Sequence, residues 1–135
     1  MRRTFEGSEK LRVLLLTIAL GAIVVPTHAK SLEVIGYSGH LGEWELTATV
    51  AQTAPDRKGY SGPLMMKHVG VCTQDGPEER GGELHLELSA SSSLLEATLS
   101  VAGVQCRYSG RLSDAYTGTM TCPDREAVPL KLWLK

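Results

Sequence analysis

The sequence has no surplus of basic residues and no Lys/Arg block: fourteen Lys and Arg stand against fifteen Asp and Glu. Proteins that hold nucleic acid draw much of their affinity from neutralised phosphates, so this balance speaks against that class. No apolar run reaches the roughly 20 residues needed to span a bilayer as a helix. The longest, Val13–Val25, stops at Pro26, and no Cys follows it at the position a lipid anchor would require. No apolar pattern of helical period persists for the ten or so residues that a helix needs. The cysteines and histidines show neither C-x-x-C nor H-x-x-x-H spacing, and no Gly-x-Ser-x-Gly frames a serine. These absences remove the common zinc signatures and the hydrolase nucleophile turn.

What is present begins with an export pattern. Arg2, Arg3, Lys10 and Arg12 outweigh Glu6 and Glu9, the apolar run Val13–Val25 follows, and Thr27-His28-Ala29 puts small residues at both key positions of a cut after Ala29. A basic head, a short apolar stretch and a small-x-small site describe a cleavable signal peptide, residues 1–29. Arg2-Arg3-Thr4-Phe5 partly matches the twin-arginine export signal, but Glu6 and Gly7 follow it, and an ordinary positive head is the preferred reading. The expected working unit is a single domain, residues 30–135, periplasmic or secreted, without a stable membrane anchor. It carries ten basic and thirteen acidic side chains. Its cysteines, Cys72, Cys106 and Cys122, then predict one disulfide and one leftover thiol in an oxidising compartment.

Period-two alternation recurs along this unit. Trp44, Leu46, Ala48 and Val50 share one face against Glu43, Glu45, Thr47 and Thr49. The sets Leu84/Leu86/Leu88, Leu95/Ala97/Leu99/Val101 and Val128/Leu130/Leu132/Leu134 repeat the pattern, with Trp133 on the opposite face of the last. One dry and one wet face is the mark of an antiparallel sheet. Gly-, Pro-, Asp- and Ser-rich stretches at 54–62, 73–82, 89–93 and 122–127 read as the turns. The expected fold is therefore all-β, a small antiparallel up-and-down barrel of seven or eight strands, with a two-sheet β-sandwich as the runner-up.

The segment 103–122 allows a register. If Ser113-Asp114-Ala115 turn the chain, Tyr108 stands opposite Met120 and Cys106 opposite Cys122. Opposed Cβ atoms lie about 4.5–5.5 Å apart, close to what a disulfide tolerates. Cys106–Cys122 is the favoured pair, and a bond from Cys72 to either of them is the rival. The run 63–73 leaves its core face open: Leu64, Met66, His68 and Cys72 lie on one side, Met65, Lys67, Val69 and Val71 on the other.

Few side chains point to chemistry. Met66, His68 and Cys72, with Cys106 or Cys122, form a soft-ligand set suited to copper(I) or zinc. A semi-buried His beside a disulfide is the plainer account, and no metal ligand is assigned. His40, His68, His85 and several Ser and Asp are unremarkable for a chain of this size. No catalytic residue and no cofactor are assigned. Trp44, Met66, His68 and Tyr108 are the candidate ligand-lining residues of a barrel mouth, although an eight-stranded interior is only just wide enough for its own side chains or one small ligand. A filled core is the favoured alternative to a cavity. The polar stretch 73–82 reads either as a solvated connection or as a contact loop on a rigid scaffold.

Gly42-Glu43-Trp44 resembles the Gly-x-Trp that opens the first barrel strand of lipocalins and of related small exported barrels, including bacterial periplasmic protease inhibitors. The resemblance covers these three residues. It implies an up-and-down barrel with a binding or inhibitory role and a structural part for Gly42 and Trp44. The function expected is thus an exported, non-enzymatic binding barrel engaging a protein or a small apolar ligand. A cell-envelope structural protein and a small secreted hydrolase are the alternatives.

Overall fold

The structure is a computed structural model that describes Gly21 and residues 30–40, 42–54, 58–70 and 74–135. The expected signal segment, apart from Gly21, lies outside the described residues, as does Cys72. Eight strands follow one another: β1 (Ser31–Ser38), β2 (Trp44–Gln52), β3 (Gly59–His68), β4 (Glu79–Leu88), β5 (Leu94–Val101), β6 (Val104–Leu112), β7 (Tyr116–Thr121) and β8 (Val128–Leu134). Each pairs antiparallel with the next, and β8 returns to β1, closing an up-and-down barrel. Closure removes every free sheet edge and rules out the two-sheet sandwich.

The alternation seen in the sequence sorts side chains between inside and outside. Leu46, Leu84, Leu86, Leu95, Leu99, Leu130 and Leu132 are fully buried, with Val34 and Val50 beside them. Each such side chain contributes roughly 1.5–3 kcal/mol by leaving water. A one-residue slip in any strand would turn its set outward, so the core itself holds the register. Walking the pairs from Val34 to Ala48, Leu64, Gly82 and Val101 ends at Val104, beside the β5–β6 turn. That drift along the strands is the stagger that lets tilted strands close.

Strand limits differ from the expectation at three places. The stretch 54–62 reads as a turn, yet β3 already begins at Gly59, with Tyr60 buried in the core. The stretch 73–82 likewise gives way to β4 at Glu79. Their glycines serve strands: a Cβ on Gly62 would enter the Thr49 carbonyl oxygen, and one on Gly82 the Ser100 carbonyl oxygen. Ser31–Ser38, whose inward positions are Leu32, Val34, Gly36 and Ser38, is a strand that apolar alternation alone does not reveal, because a glycine and a serine hold two of the four. Gly42-Glu43-Trp44 therefore opens the second strand of the barrel.

The two ends are built differently. At one end Lys58 Nζ donates to the Ala90 carbonyl (2.7 Å) and to Ser92 Oγ (2.9 Å), and Tyr116 OH donates to the Ser92 carbonyl (2.6 Å). These bonds tie Lys58 and Tyr116 to the β4–β5 connection, and Tyr60, Leu95, Ala115 and Tyr116 are buried at this end, which is filled by its own side chains. At the other end lie Gly39, His40, Gly42 and Glu43, the described residues of the β3–β4 connection, the β7–β8 connection, and the two-residue β5–β6 turn at Ala102-Gly103, where both residues have positive φ. Such a turn matches strand twist. The carbonyl of Glu43 accepts from Val69 N (2.7 Å) and Gly70 N (3.3 Å), joining two of these connections. This end stays open.

Candidate functional site

The open end holds a cleft of about 350 Å³ lined by residues from all eight strands or the turns between them. Its floor is apolar: Met66 from β3, Leu99 and Val101 from β5, Met120 from β7 and Val128 from β8. The Cys106–Cys122 disulfide forms one wall. Polar groups gather at the lip, among them His40, Glu43, Arg80, Arg125 and Glu126. An apolar cavity of this size with a few convergent polar groups has the make-up of a small-molecule site.

Local sequence explains the arrangement. Leu64, Met66 and His68 alternate inward along β3, which settles the open choice of face: Leu64 is buried and Met65 is exposed. Trp44 starts β2 directly opposite His68. The indole and imidazole stack with centroids 4.5 Å apart and planes 26° apart. On β4 the inward positions run Leu86, Leu84, Gly82 and then Arg80, which stands opposite Met66 in the register. The Arg80 guanidinium carbon sits 5.5 Å from the centre of a Trp44 ring, within cation–π reach. Its Nε and Nη2 both contact Glu78 Oε1, at 2.8 and 2.5 Å.

The disulfide follows from the register expected for β6 and β7. Tyr108 pairs with Met120 and Arg107 with Thr121, and one step further the sulfurs of Cys106 and Cys122 are bonded. Thiolates from these two cysteines are thereby unavailable as metal ligands. Among the described residues no group of three or more His, Cys, Asp or Glu is placed to hold a metal ion.

Of the four candidate lining residues, Trp44, Met66 and His68 meet at the cleft. Tyr108 does not. It is buried, and its ring runs along β6 away from the open end, with the hydroxyl over Gly110. That hydroxyl has no hydrogen-bond partner, and burial pushes its pKa up to about 12. Val104 and Leu112, on the same face in the sequence, fall at the strand ends and are exposed. The residue missed in the sequence is Arg80. The signal was its even spacing from Leu84 and Leu86, hidden because Gly81-Gly82 reads as a turn.

A second depression, about 490 Å³, lies on the outer wall of β4–β7 and is lined by the outward side chains His85, Glu87, Glu96, Thr98, Arg107 and Thr119 among others. It is larger than the cleft, but it is a polar concavity of the barrel's wet face and has no apolar floor. The mouth is the better candidate on chemistry. Comparison of the chain with protein-family models, with curated proteins and with solved structures finds no match.

Proposed function

We propose that this chain is an exported, non-enzymatic binding barrel that takes a small, largely apolar ligand in its open mouth. The observation that carries this reading is the apolar floor of Met66, Leu99, Val101, Met120 and Val128 beneath a cleft of about 350 Å³. Eight-stranded barrels have room for either their own side chains or one small ligand, and here the closed end takes the first option and the mouth the second. The Trp44–His68 stack makes one side of the mouth rigid and flat, so a ligand orders few side chains on entry. The disulfide holds the opposite wall. Such a bond supports work in an oxidising compartment, in keeping with the export pattern at the N-terminus.

The test uses the neutral fluorescent probe N-phenyl-1-naphthylamine. Saturable binding of one probe per barrel is expected. Met66→Gln, on the floor, should weaken it at least tenfold, and Met65→Gln, on the outer face of the same strand, should leave it unchanged. Equal effects of the two substitutions, or no saturable binding, overturn the reading.

A further inference from the structure

Among the polar groups of the lip, Arg80 has a placement that a purely apolar ligand does not call for. Arg80 occupies an inward position of β4 at the lip, where the alternation of Leu86, Leu84 and Gly82 points into the barrel. Its guanidinium lies over Trp44 at 5.5 Å, above the apolar floor. We propose that the ligand is a single-chain amphiphile with an anionic head, a carboxylate on an alkyl chain, and that Arg80 selects the head. This deepens the mouth reading given above and rests on it.

Three observations carry the inference. Glu78 contacts the Nε–Nη2 edge of the guanidinium through one oxygen only. A guanidinium has five N–H donors in a planar fork, so the Nη1 side is not used by Glu78 and suits a second carboxylate. The Arg80–Glu78 pair is also weak competition, because both side chains are close to half exposed, 45% and 48%, and exposed pairs of this kind contribute little. Finally, the lip acid next to Trp44 in the chain is turned toward the β1–β2 connection. The Glu43 carboxylate occupies the space that a Cβ on Gly39 would fill. A carboxylate at Arg80 leaves an attached alkyl chain directed over Met66, its partner in the register, onto the floor.

The experiment compares decanoate with decanol, the same chain with a charged and an uncharged head, as displacers of N-phenyl-1-naphthylamine. The wild-type chain should bind decanoate about three- to fivefold more tightly than decanol, the most an exposed ion pair supplies, and the ratio should fall as salt rises, because exposed charges are screened. Arg80→Gln should bring the ratio close to one. Arg80→Lys, which keeps the charge and loses the planar fork, should leave an intermediate ratio. Thermal melts of both variants check that the barrel is intact. A wild-type ratio near one, or a preference that survives Arg80→Gln, overturns the anionic-head inference while the mouth reading stands. Failure of the naphthylamine probe itself to bind overturns both.

Discussion

The Tyr108 hydroxyl lies in the space that a Cβ on Gly110 would fill, two residues along the same strand. An aromatic ring and a glycine thus share one inward position, and the ring carries an unpartnered hydroxyl into the core.

Gly110→Ala should destabilise the barrel by about 1–3 kcal/mol, the usual range for overpacking a filled core. Urea unfolding measures it, with the midpoint moving and the slope unchanged. Tyr108→Phe should go the other way. It removes a buried hydroxyl that has no partner, a group whose desolvation is unfavourable by about 1–3 kcal/mol, and a gain of about 1 kcal/mol is expected.

The same hydroxyl gives a pH dependence whose sign is fixed. Burial raises the Tyr108 pKa from 10.0 to about 12. Below pH 10 both folded and unfolded chains keep the proton and the full stability is present. Between pH 10 and 12 the unfolded chain releases it first, so stability falls as pH rises, by up to about 1.4 kcal/mol per unit. Burial shifts Tyr116 in the same direction. Tyr108→Phe should therefore reduce the alkaline slope without abolishing it, as read by urea unfolding between pH 9 and 11.

Reduction of Cys106–Cys122, or the double change Cys106→Ser/Cys122→Ser, should lower stability by about 3 kcal/mol, the expectation for a loop of this length. The far-UV circular dichroism should remain that of the barrel, because the Tyr108–Met120 and Arg107–Thr121 pairs set the register without the bond. Intact mass from an exporting cell gives the companion check. A chain starting at Lys30 and one alkylatable thiol, Cys72, are expected.

Much of this architecture is legible in the sequence because antiparallel barrels write their core in period two. The Leu-rich strands β4, β5 and β8 declare their inner faces, and the β6–β7 pair even fixes which residues oppose one another. The strand limits and Arg80 are illegible for one shared reason. Gly36, Gly62 and Gly82 sit at inward positions where neighbouring backbone or side chains take up the space of a Cβ. Periodicity counts apolar side chains, so it is blind to a glycine that serves the same layer. This hid β1, misplaced the starts of β3 and β4, and concealed that Arg80 is an inward residue. Tyr108 lies on the expected inner face but away from the mouth, because alternation gives the face of a side chain and not the direction in which it leans along the strand.

A nitrogen–proton correlation spectrum of the chain, titrated with N-phenyl-1-naphthylamine, tests the central claim most directly. Amide shifts are expected to concentrate at residues 38–40, 42–44, 66–68, 80, 99–106 and 120–128, with the closed end around residues 89–93 and 113–115 silent. Shifts gathered instead on the outer wall around His85, Glu96 and Arg107, or spread evenly over the barrel, would contradict it.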